Sequence, residues 1–309
     1  MLTPTCGRPE SLTRMIGSLA RQRGEDRFEL VVASDAGDHD AADAERLVAD
    51  APFPACHTRA KRPGAAAARN AALDRAGAPL VLFLDDDVIA DPGLVASHAD
   101  WHRRHPELEL GLLGHVDWAR ELDVTPFMRW LEYGIQFEFR NLEGEEAGWG
   151  RLVTINVSLK RDLVERVGGF DEVRFPFHYE DIELAKRMHH HGFRLFYARN
   201  ARVEHLHAVT LEDYRQRMRE VGAAERRFVT THPDLKPHLH ALFEEVLSAP
   251  PARGRLGGLL GKVPLSTPVL GPRIWLSADI YFRQQLAPSF MSGWEAEGAS
   301  GASAPGGPK

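Results

Sequence analysis

The first hundred residues alternate short apolar runs with segments of helical periodicity. The pattern predicts helices over 9–21, near 40–50 and over 64–77, and strands over 28–34, near 55–59 and over 79–84. The run at 79–84 is apolar on both faces, as expected of a strand buried between helices. Strands separated by helices of this length indicate a mostly parallel sheet with helices on both faces.

The second half of the chain is less regular. Its pattern predicts a strand at 108–116, an aromatic-rich helix at 123–137, a loop at 141–150, a strand at 151–159, helices at 161–167 and 181–191, and a strand pair near 193–206. Thr210 and Asp213 have the spacing of a capping box, so a long helix is expected from about 210. Beyond about 247 the chain is rich in Pro and Gly, and its composition predicts a disordered tail from about 296.

Composition narrows the class of protein. The chain has 309 residues, 43% hydrophobic and 27% charged, which is typical of a globular protein with one large or two small domains. We expect a cytoplasmic location, because no apolar run approaches the roughly 20 residues that span a bilayer and the start lacks a secretion-signal pattern. Two cysteines, Cys6 and Cys56, indicate reduced structural thiols. A net charge of −6 argues against a nucleic-acid partner.

The strongest chemical signal is LVLFLDDDV at 80–88, where three carboxylates directly follow a buried strand. Ligands of open α/β sheets bind beyond the carboxyl ends of the strands, which is the position of Asp85, Asp86 and Asp87. Asp85 and Asp87 are expected to share a face and to repel by roughly 3 kcal/mol at about 5 Å. A divalent cation, Mg²⁺ or Mn²⁺, completed by substrate phosphates, would relieve that repulsion. The alternative is a solvated acidic turn.

A second acidic pair, Glu180 and Asp181, lies at the start of the predicted 181–191 helix. Exposed amides and the helix dipole favour carboxylates there, so helix capping alone is one interpretation. The other interpretation is a general base held at a rigid helix end, with aromatic neighbours that restrict water.

Histidines form a third cluster. His205 and His207 alternate in RVEHLHA and are expected to share one face of a strand end. That spacing can bind a metal, although such a pair is more often an ordinary surface or core pair. The triplet at 189–191 lies in the last turn of a predicted helix, where cationic or polar side chains suit the dipole, and is interpreted as structural.

Six motifs follow one another along the chain: PTCGRPESL (4–12), VVASDAGD (31–38), GAAAARNAAL (64–73), FLDDDV (83–88), NVSLKRDLVERVGGFDE (156–172) and YEDIELAKRMHHHGFRL (179–195). In this order and spacing they resemble the bacterial family 2 glycosyltransferases of GT-A fold. The resemblance covers roughly residues 2–210. It implies an α/β protein with a single Rossmann-like mixed sheet flanked by helices, to which this chain adds a helical C-terminal extension.

The resemblance implies roles in binding the nucleotide sugar. Pro4 and Thr5 match the turn that contacts the nucleotide, and Asp35 matches the residue that binds the base. Arg69 matches a phosphate or base contact. In the acidic triplet, Asp85 and Asp86 are expected beside the ribose or donor sugar.

The resemblance also implies the metal site and the catalytic base. Asp87 would bind Mn²⁺ or Mg²⁺ together with Asp85. His205 is the better match for the histidine that completes such a site, and His207 is the second choice. Asp181 would be the catalytic base, with Glu180 as its neighbour in the family's Glu-Asp pair.

The activity implied is a metal-dependent, inverting transfer of a sugar from a nucleotide-diphosphate donor, first of all a UDP-sugar, to an acceptor hydroxyl. The acceptor would be a glycan, a polysaccharide or a lipid-linked sugar. Residues 1–114 are expected to bind the donor and residues 115–246 the acceptor, as halves of one GT-A domain, followed by an extension at 247–309. Aromatic residues of 121–150 would form an acceptor-stacking surface and a mobile lid, or simply pack as a helix and loop: Trp130, Tyr133, Phe137 and Trp149.

Two departures from the family pattern concern the nucleotide side. Cys6-Gly7 stands where the family has Tyr-Asn, and Ala36 replaces the second aspartate of the motif after the second strand. The first strand is also nearly missing, because the chain begins Met1-Leu2-Thr3. Either the start lies upstream or this central strand is short, and lower stability is expected there.

Two other functions are open. A sugar nucleotidyltransferase would normally carry a Gly-rich basic loop where PTCGRPE has one glycine, and a non-catalytic nucleotide-sugar-binding subunit would not need Asp87 and Asp181.

The apolar stretch 256–282 would either lie on the inner face of the cell membrane, beside a lipid-linked acceptor, or cover the protein's own core. We prefer the second interpretation.

Overall fold

The chain forms two compact units, and the first contains an eight-stranded sheet. A computed structural model describes residues 1–24, 27–133, 142, 146–252 and 256–302. The first unit comprises residues 1–122 and 139–207, and the second comprises 123–138 and 208–309. The strands are β1 (Leu2–Thr5), β2 (Leu30–Ser34), β3 (Ala55–Arg59), β4 (Leu80–Leu84), β5 (Val88–Ala90), β6 (Leu110–Trp118), β7 (Asn156–Lys160) and β8 (Arg194–His205).

Ten α-helices are described, and most lie where the periodicity predicts them. They are α1 (Pro9–Leu19), α2 (Ala41–Ala49), α3 (Ala65–Arg75), α4 (Leu94–Arg104), α5 (Pro126–Tyr133), α6 (Arg161–Arg166), α7 (Glu180–His189), α8 (Leu211–Thr231), α9 (His238–Leu247) and α10 (Leu270–Ala302). Pro9 lies in the first turn of α1, whose buried residues include Leu12, Met15 and Ile16. The capping box of Thr210 and Asp213 begins α8 as predicted.

The sheet is mixed, with strand order β3-β2-β1-β4-β7-β6-β8-β5. β1 pairs parallel with β2 and β4, whereas β7 runs antiparallel to both β4 and β6. β1 has only four residues, but Leu2, Thr3 and Thr5 are buried. β1 lies inside the sheet between β2 and β4, and its carboxyl end lies next to that of β4.

The predicted strand pair near 193–206 is wrong, because these residues form the single long strand β8. Its pairing with β6 shifts register between Gly114 and His115. The Asn156 amide donates to the carbonyl oxygens of His115 at 3.1 Å and Ala201 at 2.9 Å. Because these carbonyls at the irregularity have a partner, the strand continues through it instead of ending.

The second unit is helical and consists of α5, α8, α9, α10 and a short 3-10 turn at Gly257–Leu259. α8 and α10 approach each other closely at two glycines. A Cβ atom at Gly222 would lie 2.1 Å from the carbonyl oxygen of Phe290, and one at Gly293 would lie 1.8 Å from that of Arg219. This helix contact therefore requires glycine at both positions.

The predicted disordered tail is wrong for residues 296–302, which belong to α10. The Glu297 carboxylate pairs with Arg227 of α8 at 2.9 Å, and the Arg226 guanidinium lies 5.0 Å from the Trp294 ring centre. Packing on α8 thus stabilises a sequence whose Gly, Ala and Ser content predicts disorder. Residues 303–309 lie outside the described residues.

The predicted boundaries at 114 and 246 differ from the two units. β6, β7 and β8 belong to the same sheet as β1–β5, so the whole sheet lies in the first unit. Residues 123–138 and everything after 207 form the second unit. In the stretch 256–282, Ile274, Ala278 and Phe282 are buried, as the preferred interpretation predicted. None of the helices in the described ranges is both long and apolar enough to cross a bilayer.

Candidate active site

The three aspartates form the turn between β4 and β5, at the carboxyl end of β4. Asp86 has no exposed surface, Asp87 is buried, and the Asp85 side chain is 26% exposed. Thr5, at the end of the neighbouring β1, donates from Oγ1 to Asp86 Oδ2 at 2.6 Å. Burial raises the pKa of Asp86 to about 7, against the opposing charge of Arg8 and the hydrogen bond from Thr5.

Arg8 supplies positive charge to this turn, which sequence reasoning missed. Its Nη2 lies 2.6 Å from Asp86 Oδ1, and its Nη1 donates to Asp87 Oδ2 at 2.5 Å. The repulsion between Asp85 and Asp87 predicts a cation beside them, and in the structure each of the two pairs with an arginine, Asp85 with Arg69 and Asp87 with Arg8. A usable signal existed, since Arg8 follows β1 directly and the carboxyl ends of adjacent parallel strands meet at one sheet edge.

Arg69 connects the acidic turn to the second acidic pair. Its side chain is 6% exposed, with Nη2 3.2 Å from Asp85 Oδ1 and Nη1 2.7 Å from Glu180 Oε1. The predicted site residues Arg69, Asp85 and Glu180 are therefore neighbours, although 111 sequence positions separate Arg69 from Glu180.

The second acidic pair begins α7. The N-cap residue is Tyr179, so Glu180 and Asp181 are the first two helical residues and neither is the cap. His178 and Tyr179 both adopt positive φ, 60° and 62°, which is uncommon for residues other than glycine and often marks a functional site. This strained turn directs the chain into the helix immediately before Asp181.

Asp181 has the properties of a general base. Its side chain is partly exposed, and Oδ1 accepts a hydrogen bond from the Ile182 amide at 2.8 Å. Burial and the adjacent Glu180 charge raise the pKa of Asp181 to about 7, while Arg69 opposes the shift. A carboxylate with a pKa near neutrality can accept a proton efficiently at physiological pH.

The two histidines are not equivalent. His205 is the last residue of β8 and is buried, with Nε2 3.4 Å from Asp87 Oδ1. Burial lowers the pKa of His205, which favours the neutral imidazole. His207 lies beyond the strand end and is exposed, and its ring centre lies 6.2 Å from that of His205.

On the nucleotide side, Pro4 and Thr5 end β1 and Asp35 follows β2. The two carboxylate oxygens of Asp35 accept hydrogen bonds from the amides of Gly37 at 2.7 Å and Gly64 at 2.5 Å. Asp35 thereby joins its own turn to the start of α3, the helix that carries Arg69.

The proposed acceptor-stacking aromatics lie in different environments. Trp130 is fully buried in the second unit, where Nε1 donates to Asp279 Oδ1 at 3.0 Å, so it is a core residue and the stacking hypothesis is wrong for it. Trp149 lies in the first unit, partly exposed, and stacks on His189 with ring centres 5.6 Å apart. Phe137 lies outside the described residues.

The donor atoms around Asp87 are compatible with a divalent cation. Asp87 Oδ1 is buried and accepts no hydrogen bond from the described residues, and it faces the imidazole of His205. Carboxylate oxygen with neutral imidazole suits Mn²⁺ or Mg²⁺ completed by ligand oxygens. Across the described ranges no three His, Cys, Asp or Glu side chains form a ready-made metal site.

Comparison with known sequences gives a consistent result. The profile of the Glycosyl transferase family 2 matches residues 1–151. A validoxylamine A glucosyltransferase of Streptomyces hygroscopicus subsp. limoneus is 29% identical over 282 residues, covering 77% of this chain and 58% of that protein. The uncharacterized glycosyltransferase YfnE of Bacillus subtilis (strain 168) is 28% identical over 243 residues, covering 63% of this chain and 62% of that protein. The chain thus spans about three fifths of these curated relatives.

Solved structures share the fold. The mannosyltransferase PcManGT of Pyrobaculum calidifontis, in complex with GDP-Man and Mn²⁺, aligns with a TM-score of 0.52 at 17% identity, covering 99% of this chain and 75% of that one. S. aureus TarS 1–349 in complex with UDP aligns with a TM-score of 0.53 at 15% identity, covering 97% and 90%. The predicted GT-A fold, a mixed sheet flanked by helices with a helical C-terminal region, is confirmed.

Proposed function

We propose that this chain is a family 2 glycosyltransferase that transfers a sugar from a nucleotide-diphosphate donor to an acceptor hydroxyl with inversion at the anomeric carbon. The observation that carries the proposal is Asp181, a carboxylate with a pKa raised to about 7 at the start of a rigid helix. Arg69 and Glu180 link it to the acidic turn.

In the proposed mechanism Asp181 removes the proton from the acceptor hydroxyl. The acceptor oxygen then forms a bond to the anomeric carbon while the bond to the leaving nucleotide diphosphate breaks on the opposite face. Glu180 pairs with Arg69 at 2.7 Å, and the negative charge of Glu180 helps to raise the pKa of Asp181. Positioning and proton transfer by such a base contribute typically 100- to 10,000-fold to the rate.

The residues that would hold a divalent cation are Asp87 and His205, with Asp85 nearby. When bound, such an ion would act as a Lewis acid that stabilises the departing diphosphate. One structural neighbour is a complex with GDP-Man and Mn²⁺ and another is a complex with UDP, which supports testing donors of both nucleotides. Thr5 and Asp35, at the ends of β1 and β2, are the residues proposed to contact the nucleotide.

The test is a turnover assay with purified protein. UDP-glucose and GDP-mannose would be offered with Mn²⁺, with Mg²⁺ or with EDTA, and release of the nucleotide diphosphate would be measured. Soluble polyhydroxylated acceptors belong in the screen beside glycans and lipid-linked sugars, because one relative is named for glucosylating validoxylamine A. We expect metal-dependent UDP or GDP release, and NMR of the product should show an inverted anomeric configuration.

Two outcomes would contradict this function. A nucleotidyltransferase would release pyrophosphate or consume it, instead of releasing a nucleoside diphosphate. A non-catalytic subunit would bind the donor, which is visible as a rise in melting temperature, but would release no nucleotide with any acceptor.

We further propose that the exposed side chains of residues 256–278 contact an anionic bilayer, while buried side chains of the same segment, such as Ile274 and Ala278, pack on the protein. This segment contains the cations Lys262 and Arg273 and no acidic residue, in a chain of net charge −6. It also exposes large apolar side chains: Val269 (67%), Leu270 (40%) and Leu276 (58%). Cationic segments with exposed apolar residues are attracted to anionic lipid surfaces.

Co-sedimentation with vesicles tests this contact. We expect the protein to pellet with phosphatidylglycerol vesicles and less with phosphatidylcholine vesicles, and Leu276→Asp should weaken pelleting. Leu247→Asp is the matched control, because Leu247 is 49% exposed but precedes the segment. Equal behaviour of the two variants, or no pelleting with either lipid, would contradict the proposal.

A further inference from the structure

Arg8 has an unusual position for a residue that neutralises buried acids. Its side chain is 40% exposed, whereas the side chains of Asp86 and Asp87 are 0% and 6% exposed. It follows Gly7, which has a φ of 64°, and directly precedes α1. The guanidinium therefore reaches the acidic turn from the solvent side and divides its two terminal nitrogens between two carboxylates.

The two carboxylates depend on Arg8 to different degrees. Asp86 has a second partner, because Thr5 Oγ1 donates to it at 2.6 Å. Oδ2 of Asp87 accepts a hydrogen bond from Nη1 of Arg8, whereas Oδ1 of Asp87 accepts no hydrogen bond from the described residues. Moving Nη1 away from Asp87 would leave Asp86 paired through Nη2 and Thr5.

Arg8 also conflicts with a cation on Asp87. A guanidinium and a divalent ion on one carboxylate carry like charges within a few ångströms, so each weakens binding of the other. A diphosphate next to the turn would compete with Asp87 for the Arg8 side chain, because guanidinium forms strong bidentate hydrogen bonds with phosphate oxygens.

We propose that Arg8 is a donor-binding residue: it pairs with Asp87 in the donor-free protein and transfers that contact to the diphosphate of the incoming nucleotide sugar. This inference rests on the proposed function, since it requires a nucleotide-diphosphate donor. Because the transfer frees Asp87, donor and divalent cation should each strengthen binding of the other, and by linkage the two effects are equal.

Arg8→Met tests the inference in a binding experiment that needs no turnover. Free Mn²⁺ is measured by EPR in titrations of the protein alone, with UDP and with GDP. Without the guanidinium, the variant should bind Mn²⁺ in the absence of nucleotide about 5- to 10-fold more tightly than the wild type does. The factor by which nucleotide increases the Mn²⁺ affinity should be smaller in the variant by a similar amount. In the presence of Mn²⁺, nucleotide affinity should fall about 10-fold.

Two further variants make the result specific. Arg14→Met is the matched control on the same helix, because Arg14 pairs with exposed Glu121 and should leave both affinities unchanged. Arg8→Lys keeps the positive charge but loses the planar fork. We expect Arg8→Lys to bind Mn²⁺ in the absence of nucleotide as the wild type does, and to bind nucleotide more weakly. If thermal unfolding shows that Arg8→Met is not folded, the nucleotide affinity of Arg8→Lys becomes the test.

The inference is overturned if Arg8→Met binds Mn²⁺ alone no more tightly than the wild type, or if its nucleotide affinity is unchanged. Its failure is distinguishable from failure of the proposed function. If the wild type turns over a nucleotide sugar while Arg8→Met binds as the wild type does, only the role of Arg8 is wrong. If the wild type neither binds nor turns over any nucleotide sugar, both are wrong.

Discussion

Each unit of the molecule has a carboxylate at the start of a helix, and the two differ in how well they are satisfied. In the helical unit, Glu225 is 1% exposed and accepts hydrogen bonds from three consecutive amides at the start of α9, at 2.8 to 2.9 Å. In the sheet unit, Asp181 accepts a hydrogen bond from the amide of Ile182 and lies beside the like charge of Glu180, and its pKa is raised to about 7.

The difference separates a structural carboxylate from a reactive one. The Glu225 carboxylate accepts from three amides and so completes the hydrogen bonding of a helix N-terminus, and this contact holds α8 and α9 together. Burial of Asp181 beside another carboxylate destabilises its ionised form, which leaves it able to accept a proton. Burial alone therefore does not identify a functional acid.

The largest expected effect is that of Asp181→Asn. The amide oxygen can still accept from the Ile182 amide, so the fold should be retained, but the side chain cannot accept a proton. We expect kcat to fall about 100- to 10,000-fold with little change in melting temperature. Nucleotide release and thermal unfolding measure the two quantities, and near-normal kcat would refute the assignment of the base.

Glu225→Ala should have the opposite profile. Leaving three amides at the start of α9 without their acceptor is expected to lower the free energy of unfolding by about 3 kcal/mol, measured by urea denaturation. Turnover per folded molecule should stay close to that of the wild type. Glu225→Gln keeps one acceptor oxygen and should lose less stability; a large loss of kcat in either variant would contradict a purely structural role.

The pH dependence sharpens the same comparison. Asp181 must be ionised to act, so kcat should fall about tenfold per pH unit below about 7. The effect of pH on stability has the opposite sign, because folding raises the pKa of Asp181. The contribution of Asp181 to the free energy of unfolding is fully present below about pH 4 and is lost as the pH rises through 7. Asp181→Asn should remove its share of that loss, and a wild-type kcat independent of pH between 5 and 7 would contradict the shifted pKa.

The smallest expected effect is that of Trp130→Phe in the helical unit. Phenylalanine keeps the ring contacts with Phe127 and Phe282 but loses the hydrogen bond to Asp279. The free energy of unfolding should fall by about 1 to 2 kcal/mol, and KM for the acceptor should not change. An increase in acceptor KM would restore the stacking role that the burial of Trp130 contradicts.

Several parts of the candidate site were predictable because they depend on local sequence. The apolar run before Asp85 placed the acidic turn at a strand end, and the helical spacing after Glu180 placed the second pair at a helix start. The role of Arg8 was not predicted, and the sequence left open whether Trp130 stacks on an acceptor or packs in the core. Arg8 acts on Asp87, 79 positions away, and Trp130 pairs with Asp279, 149 positions away.

The sequence by itself determined most strands and helices of the sheet unit, the resemblance to the family 2 glycosyltransferases, and the set of acidic residues at the sheet edge. Periodicity and capping are properties of neighbouring residues, so they are visible without a structure. The tertiary structure decided which charge neutralises which, and which aromatic side chain is core. Those outcomes depend on contacts of a few ångströms between distant positions, and such contacts exist only after the strands have been brought side by side.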